Sequence, residues 1–236
     1  MAEPKPKKHK GLIITAIVVV VLVVAGVGMY QWHEHPSFCS TMCHIEQTYV
    51  DNYSQEKGVV GTDKYGNEVS NTNAMMAVLH SHNNTTGKNS TIECVDCHEP
   101  NMTELATDGM HYVAGDYYLP RTERDLGRMM KWDGKEGTQF CVNENCHAYL
   151  RGSDGLVDYN KLEKTTIEME FNPHSQHHGD NIRVECGECH KGHRASTVVC
   201  SGCHNASNPD IPSAVLPDGW VSYQESQQIL EDAHAN

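Results

Sequence analysis

The chain has 236 residues, with ten cysteines, 16 histidines and only three phenylalanines, and aromatic residues make up 7% of it. Its formal charge is −13, and four lysines against one glutamate in residues 1–10 leave −16 for the remainder. So few aromatics argue against a conventional core of this length. So acidic a surface argues against nucleic-acid binding, because phosphates would be repelled. The same surface aids solubility and suits steering toward a basic face on a partner protein.

Residues 1–10 form a basic head carrying Lys5, Lys7, Lys8 and Lys10. From Gly11 to Trp32 no residue is charged, and Leu12 to Val27 is almost wholly aliphatic. About 20 apolar residues suffice to cross a bilayer as a helix. The lysines would keep the N-terminus in the cytoplasm, and Tyr30 and Trp32 fall at the far interface. A cleaved signal peptide has an apolar stretch of roughly 7–15 residues, shorter than this one. We therefore expect a cytoplasmic head over 1–10, an uncleaved transmembrane anchor over 11–32 and an exported domain beyond it.

Cys39, Cys43 and His44 follow the anchor directly. The eight residues between Tyr30 and Cys39 reach at most roughly 30 Å when extended, so this unit is held at the membrane surface. The same pattern recurs as Cys94-Val95-Asp96-Cys97-His98, as Cys141 to Cys146-His147, as Cys186-Gly187-Glu188-Cys189-His190 and as Cys200-Ser201-Gly202-Cys203-His204. C-x-x-C-H is the attachment signature of a c-type haem. Two thiols at that spacing reach the two vinyl groups on one edge of a porphyrin, and the next histidine is carried beneath the ring to ligate the iron. The copies at Cys39 and Cys141 have three and four residues between the thiols, and an extra residue or two can loop out there. Five units use all ten cysteines. Disulfides or zinc sites would not need a histidine at that fixed position.

Five porphyrins over 33–204 would supply much of the apolar interior. The expected fold is mainly α with extensive loops and little β: one transmembrane helix plus a pentahaem cytochrome c domain with five covalent haem c groups, followed by a C-terminal tail over 205–236. Gly58, Gly61 and Gly66-Asn67 punctuate short β-branched pieces in 54–76, which predicts a small hairpin or mobile loop. Met75 and Met76 read as packing residues. The tail reads as helical from Val221 to Asp232. Distal ligands for five irons would come from His33, His35, His80, His82, His111, His174, His177, His178 and His193. Two strong axial ligands leave an iron no site for substrate, which favours electron transfer over catalysis.

The basic head with its single span, the haem unit just after it, the run His82-Asn83-Asn84-x-x-Gly87 leading into Cys94 to Pro100, and Cys189-His190-Lys191-Gly192 together resemble the NapC/NirT/NrfH family of membrane-anchored multihaem cytochromes c. The resemblance covers residues 1 to about 195. It implies electron transfer from membrane quinol, of menaquinol type, to an extracytoplasmic reductase, a flavoprotein among the candidates. It also implies that His111 is the distal ligand of the second haem, that His82 reaches the fourth and that His193 serves the third. Asp116 resembles the acidic residue near the first haem and the quinol pocket. One of His177 and His178 joins these as a candidate ligand, ahead of His33 and His35. Three features depart from the family pattern: the additional unit at Cys200, Glu46 where a methionine is frequent, and the longer Cys39–Cys43 spacer. They leave the axial ligation of the first haem open. The rival reading is a terminal reductase of a small molecule such as nitrite or hydroxylamine, acting at a haem with an open axial position.

Overall fold

A computed structural model describes residues 9–43, 47–81, 92–98, 102–116, 123, 137–175 and 184–235. The fold is mainly helical, with very short strands and long connecting loops. The first helix, α1 (His9–His33), has 25 residues and so spans about 37 Å, more than the roughly 30 Å hydrocarbon layer of a bilayer. Lys10 to His33 of this helix is long and apolar enough to cross a membrane or to serve as a signal sequence, and it is not buried against the rest of the chain.

A tight turn joins α1 to α2 (Pro36–Cys43), which opens on a proline, a residue suited to a first helical turn because its missing N–H has no partner there anyway. The Trp32 indole donates to Ser37 Oγ at 3.1 Å, and the Phe38 ring stands edge-on to Trp32 at 5.1 Å and to His33 at 5.0 Å. Cys39 and Cys43 therefore ride on a helix clamped to the end of the apolar one. Next comes α3 (Gln47–Tyr53), which packs against α2.

The glycine-punctuated stretch forms a hairpin of two-residue strands, β1 (Gly61–Thr62) antiparallel to β2 (Glu68–Val69). Gly66, at φ 88°, occupies its turn, where a side chain would be strained. Asp63 Oδ1 accepts from the amides of Tyr65 and Asn67 and closes that turn. Beyond it lie α4 (Met76–Ser81), α5 (Cys94–Cys97), α6 (Met102–Ala114), α7 (Gly137–Cys141), α8 (Tyr159–Thr165) and α9 (Cys186–Cys189). A parallel pair of strands, β3 (Thr197–Val198) and β4 (Val221–Ser222), leads into α10 (Tyr223–Ala235).

The apolar core is small. It gathers Val69, Ala74, Met75, Val78, Ala195 and Val221, with Trp220 and Ile229 against it. Met75 is fully buried. Main-chain bonds stitch residues 72–81 to 191–196: Met76 N to Lys191 O and Ala77 N to Gly192 O at 2.9 Å, and Ser196 N to Ala74 O at 2.9 Å. Arg194, 2% exposed, is buried beside that seam. It ion-pairs with Glu123 and donates to Thr197 Oγ1 at 3.2 Å and Ser226 Oγ at 2.9 Å. The C-terminal segment is seated just as closely. Gly219 has φ 80°, and a Cβ there would come within 2.5 Å of the Asn71 carbonyl oxygen.

Candidate functional site

The thiol-and-imidazole units fold as single tight turns. In α5 and α9 each first cysteine begins one helical turn and the histidine caps it. His98 N donates to Cys94 O at 2.7 Å, His190 N to Cys186 O at 2.8 Å and His204 N to Cys200 O at 2.8 Å. The unit with the longer spacer closes the same way, with His147 N donating to Cys141 O at 3.0 Å. Its extra residues form a bulge pinned by Asn143 Nδ2 to Phe140 O at 2.7 Å. Cys39 lies on α2, and His44 lies outside the described residues.

The units are adjacent in chain order. The Cys94 thiol feels that of Cys39, and the Cys97 thiol that of Cys146; burial, with these neighbours behind it, pushes both up to about 12. Cys141 and Cys186 are hydrogen-bonded to each other, which raises the first thiol and lowers the second. Cys189 has Cys200 as its neighbour. The nine cysteines whose side chains are described are free of disulfides, with Cys146 and Cys203 exposed.

Three of the unit histidines face a second imidazole from elsewhere in the chain. Ring centres lie 6.1 Å apart for His98 and His193, 6.4 Å for His80 and His147, and 6.3 Å for His174 and His190. An imidazole nitrogen sits about 2 Å from a bound metal, with the ring centre about 1 Å beyond it, so two axial imidazoles on one iron have centres about 6 Å apart. The interplanar angles are 25°, 82° and 9° in the same order. These gaps are too wide for stacked rings in contact and match an intervening iron.

The electrostatics agree. Burial, then His98 and Lys64, brings His193 down to about 3. Burial, then His174, His147 and His80, brings His190 down to about 4. His147 and His174 are lowered too, chiefly by burial. All four rings are thus neutral, with the nitrogen lone pair that a metal ligand needs. His80 Nδ1 donates to Met76 O at 2.7 Å and His204 Nδ1 to Pro212 O at 2.7 Å. A carbonyl accepts only, so in both rings Nδ1 carries a hydrogen and Nε2 is the atom available to a metal. Among the described residues no three metal-ligating side chains converge on one point. Paired imidazoles beside pairs of cysteines fit haem: His98 with His193, His147 with His80 and His190 with His174 would hold it, and it would supply a one-electron couple.

The remaining sequence candidates fall differently. His111 is exposed near the end of α6, its Nδ1 3.2 Å from Asp116 Oδ2, so the structure joins these two candidates to each other. His193 stands opposite His98 of the second unit, whereas the family resemblance assigned it to the third haem and His111 to the second. His82, His177 and His178 lie outside the described residues. His80 and His174 were two of nine histidines without distinguishing context. No local signal selects them, because their partners come from distant segments. His33 is in ring contact with Phe38, and His35 Nδ1 lies 2.9 Å from Ser37 Oγ.

Comparison with known proteins gives the same chemistry. A family profile described as cytochrome c3 matches residues 130–205. The chain is 41% identical over 230 residues to the cytochrome c-type protein Cgr1 of Eggerthella lenta, covering 97% of this chain and 95% of that one. It is also 31% identical over 64 residues, 25% of this chain and 10% of the other, to the probable fumarate reductase Ifc3 of Shewanella frigidimarina. No solved structure matches.

Proposed function

The chain belongs to the family of multihaem c-type cytochromes that includes Cgr1, and from that premise we propose that it is a membrane-anchored pentahaem electron relay that oxidises membrane quinol and delivers the electrons to an extracytoplasmic reductase. Covalent haem c and electron transfer follow from the family itself. That there are five haems, one at each unit, is our reading of the ten cysteines. Bound haem supplies a one-electron iron couple at each unit.

The observation that carries the relay is the set of opposed imidazoles at His98, His147 and His190. Two imidazoles at each unit would hold an iron from both sides and leave it to exchange electrons without binding substrate. The electrostatic proximity of cysteines in successive units favours a path that begins at Cys39, beside the apolar helix, and ends at Cys203. At these three units the paired imidazoles favour electron relay; a terminal reductase would need its open haem at the first or the fifth unit.

Quinol oxidation releases two electrons and two protons. His111 and Asp116, hydrogen-bonded and exposed, are the candidate pair for taking the protons. The NapC/NirT/NrfH resemblance supports a menaquinol-type donor and the placement of the haem domain, 33–204, outside the membrane, with residues 1–10 in the cytoplasm and 205–236 as a tail. At the far end of the path, residues 195–236 hold no Lys or Arg, while Asp210, Asp218, Glu225, Glu231 and Asp232 are all exposed. Such a surface suits a partner with a basic docking face. The similarity to a probable fumarate reductase is consistent with a reductase as acceptor, a flavoprotein among the candidates.

The test is reduction of the purified full-length protein by a menaquinol analogue, followed by haem absorbance. Wild type should be reduced, and His111→Ala and Asp116→Asn should slow reduction at least tenfold without changing haem content. Failure of quinol to reduce the wild type would refute the donor assignment.

A further inference from the structure

We propose that Asn52 is the positioning residue for His193: its amide holds the imidazole in the tautomer that frees Nε2 to ligate, and so tunes an iron held between His193 and His98. The proposal rests on reading the His98–His193 gap as an iron site.

Asn52 lies on α3 and is 2% exposed. Its Nδ2 donates to the Thr62 carbonyl at 2.9 Å and to Met75 Sδ at 3.1 Å. Thr62 is itself held fast by Gln55, whose Oε1 accepts from Thr62 N at 2.7 Å and whose Nε2 donates to Thr62 O at 2.7 Å. A carbonyl cannot donate, so the NH2 group of Asn52 must face Thr62 and its Oδ1 must point away. There Oδ1 meets His193 Nδ1 at 2.9 Å. Two bare acceptors would repel, so Nδ1 carries the hydrogen and Nε2 is left as the ligand atom.

The rest of the surroundings keep the ring in that plane. Tyr49, three residues before Asn52 and on the same face of α3, stands edge-on to the imidazole at 5.0 Å. Lys64 N donates to the His193 carbonyl at 2.8 Å. At His80 and His204 the same service at Nδ1 comes from main-chain carbonyls, which no substitution of their own side chains would remove. At His193 it comes from a side chain, and a neutral one. A stronger acceptor at Nδ1 makes the imidazole a more basic ligand and favours Fe(III), while loss of the acceptor does the reverse. Because Gln55 Nε2 also serves the Thr62 carbonyl, removing the Asn52 amide does not orphan it.

The experiment is potentiometric titration of the full-length haem-loaded protein, followed by visible and electron paramagnetic resonance spectra, for wild type, Asn52→Leu, Asn52→Asp and His193→Ala. Asn52→Leu should make one haem about tenfold easier to reduce, about 59 mV for one electron. Asn52→Asp, nearly the same shape, should move the same haem the opposite way. His193→Ala should open that haem to carbon monoxide. Variants with unchanged haem content and no shift, or with shifts of one sign spread over all haems, would overturn the role of Asn52. If His193→Ala adds no carbon monoxide-binding haem to those of wild type, it is the iron site itself that fails.

Discussion

The main-chain amide of His147 donates to the carbonyl of Cys141 at 3.0 Å, across a spacer two residues longer than that between Cys94 and His98, whose equivalent bond is 2.7 Å. The extra length is taken up by a bulge in which Asn145 N donates to Asn143 Oδ1 at 2.8 Å, while Val142 is buried at 1% exposure. The histidine therefore closes back on the first cysteine as it does in the shorter units. Deleting Asn143 and Glu144 should leave the number of covalent haems unchanged, whereas Cys141→Ser with Cys146→Ser should remove one. Intact mass measures both. Loss of a haem from the deletion variant would show that the bulge is required for attachment.

The opposed imidazoles make a prediction about ligand access. His80→Ala and His174→Ala should each convert a closed iron into one that binds carbon monoxide, changing about one-fifth of the reduced haem spectrum. His111, joined to Asp116, should not: His111→Ala is expected to leave the carbon monoxide spectrum as in wild type. A response to His111→Ala equal to that of His80→Ala would reassign the ligands.

Arg194 and Glu123 hold the C-terminal helix to the seam beneath the histidines. Burial alone would raise the Glu123 carboxyl, but the hydrogen-bonded Arg194 guanidinium, with Lys191 and Lys64 behind it, holds it below the ordinary range. Lys191 Nζ lies 3.7 Å from Glu123 Oε2. Glu123→Gln would leave a buried cation without its counter-charge, a loss of about 3 kcal/mol, read by denaturant unfolding. Since folding lowers this carboxyl's pKa, the unfolded chain takes up the proton first as pH falls. The pair's contribution is therefore complete above about pH 4.3 and is lost progressively below it. Glu123→Gln should remove that part of the acid sensitivity, and an unchanged profile would contradict the pairing.

The apolar helix can be tested by truncation. Removing residues 1–33 and supplying an independent export signal should move the protein from the membrane to the soluble fraction. Haem content should stay the same, and reduction by quinol should fall at least tenfold. Retention at the membrane would mean that other surfaces bind it.

The cysteine–histidine turns were legible in the sequence because each is local: two thiols and an imidazole fixed within a short stretch of chain. The apolar helix, the 61–69 hairpin and the C-terminal helix were legible for the same reason, from an uncharged run, from glycines at turns and from periodicity. The imidazoles that come from distant segments to pair with the histidines of the cysteine–histidine turns were not. His193 follows His190 by three residues yet faces His98, because the segment 191–196 is stitched to 74–77 and carries the loop across to α3. His80 faces His147 by the same long-range assembly. Glu123 and Arg194 left no mark either, since an acid and a base far apart in sequence reveal their pairing only when both are buried.

The most direct measurement is the intact mass of the native protein under reducing conditions, with absorbance to confirm iron porphyrin. We expect the polypeptide plus five covalently bound haems. An unmodified mass, or fewer than five haems in fully matured protein, would contradict it.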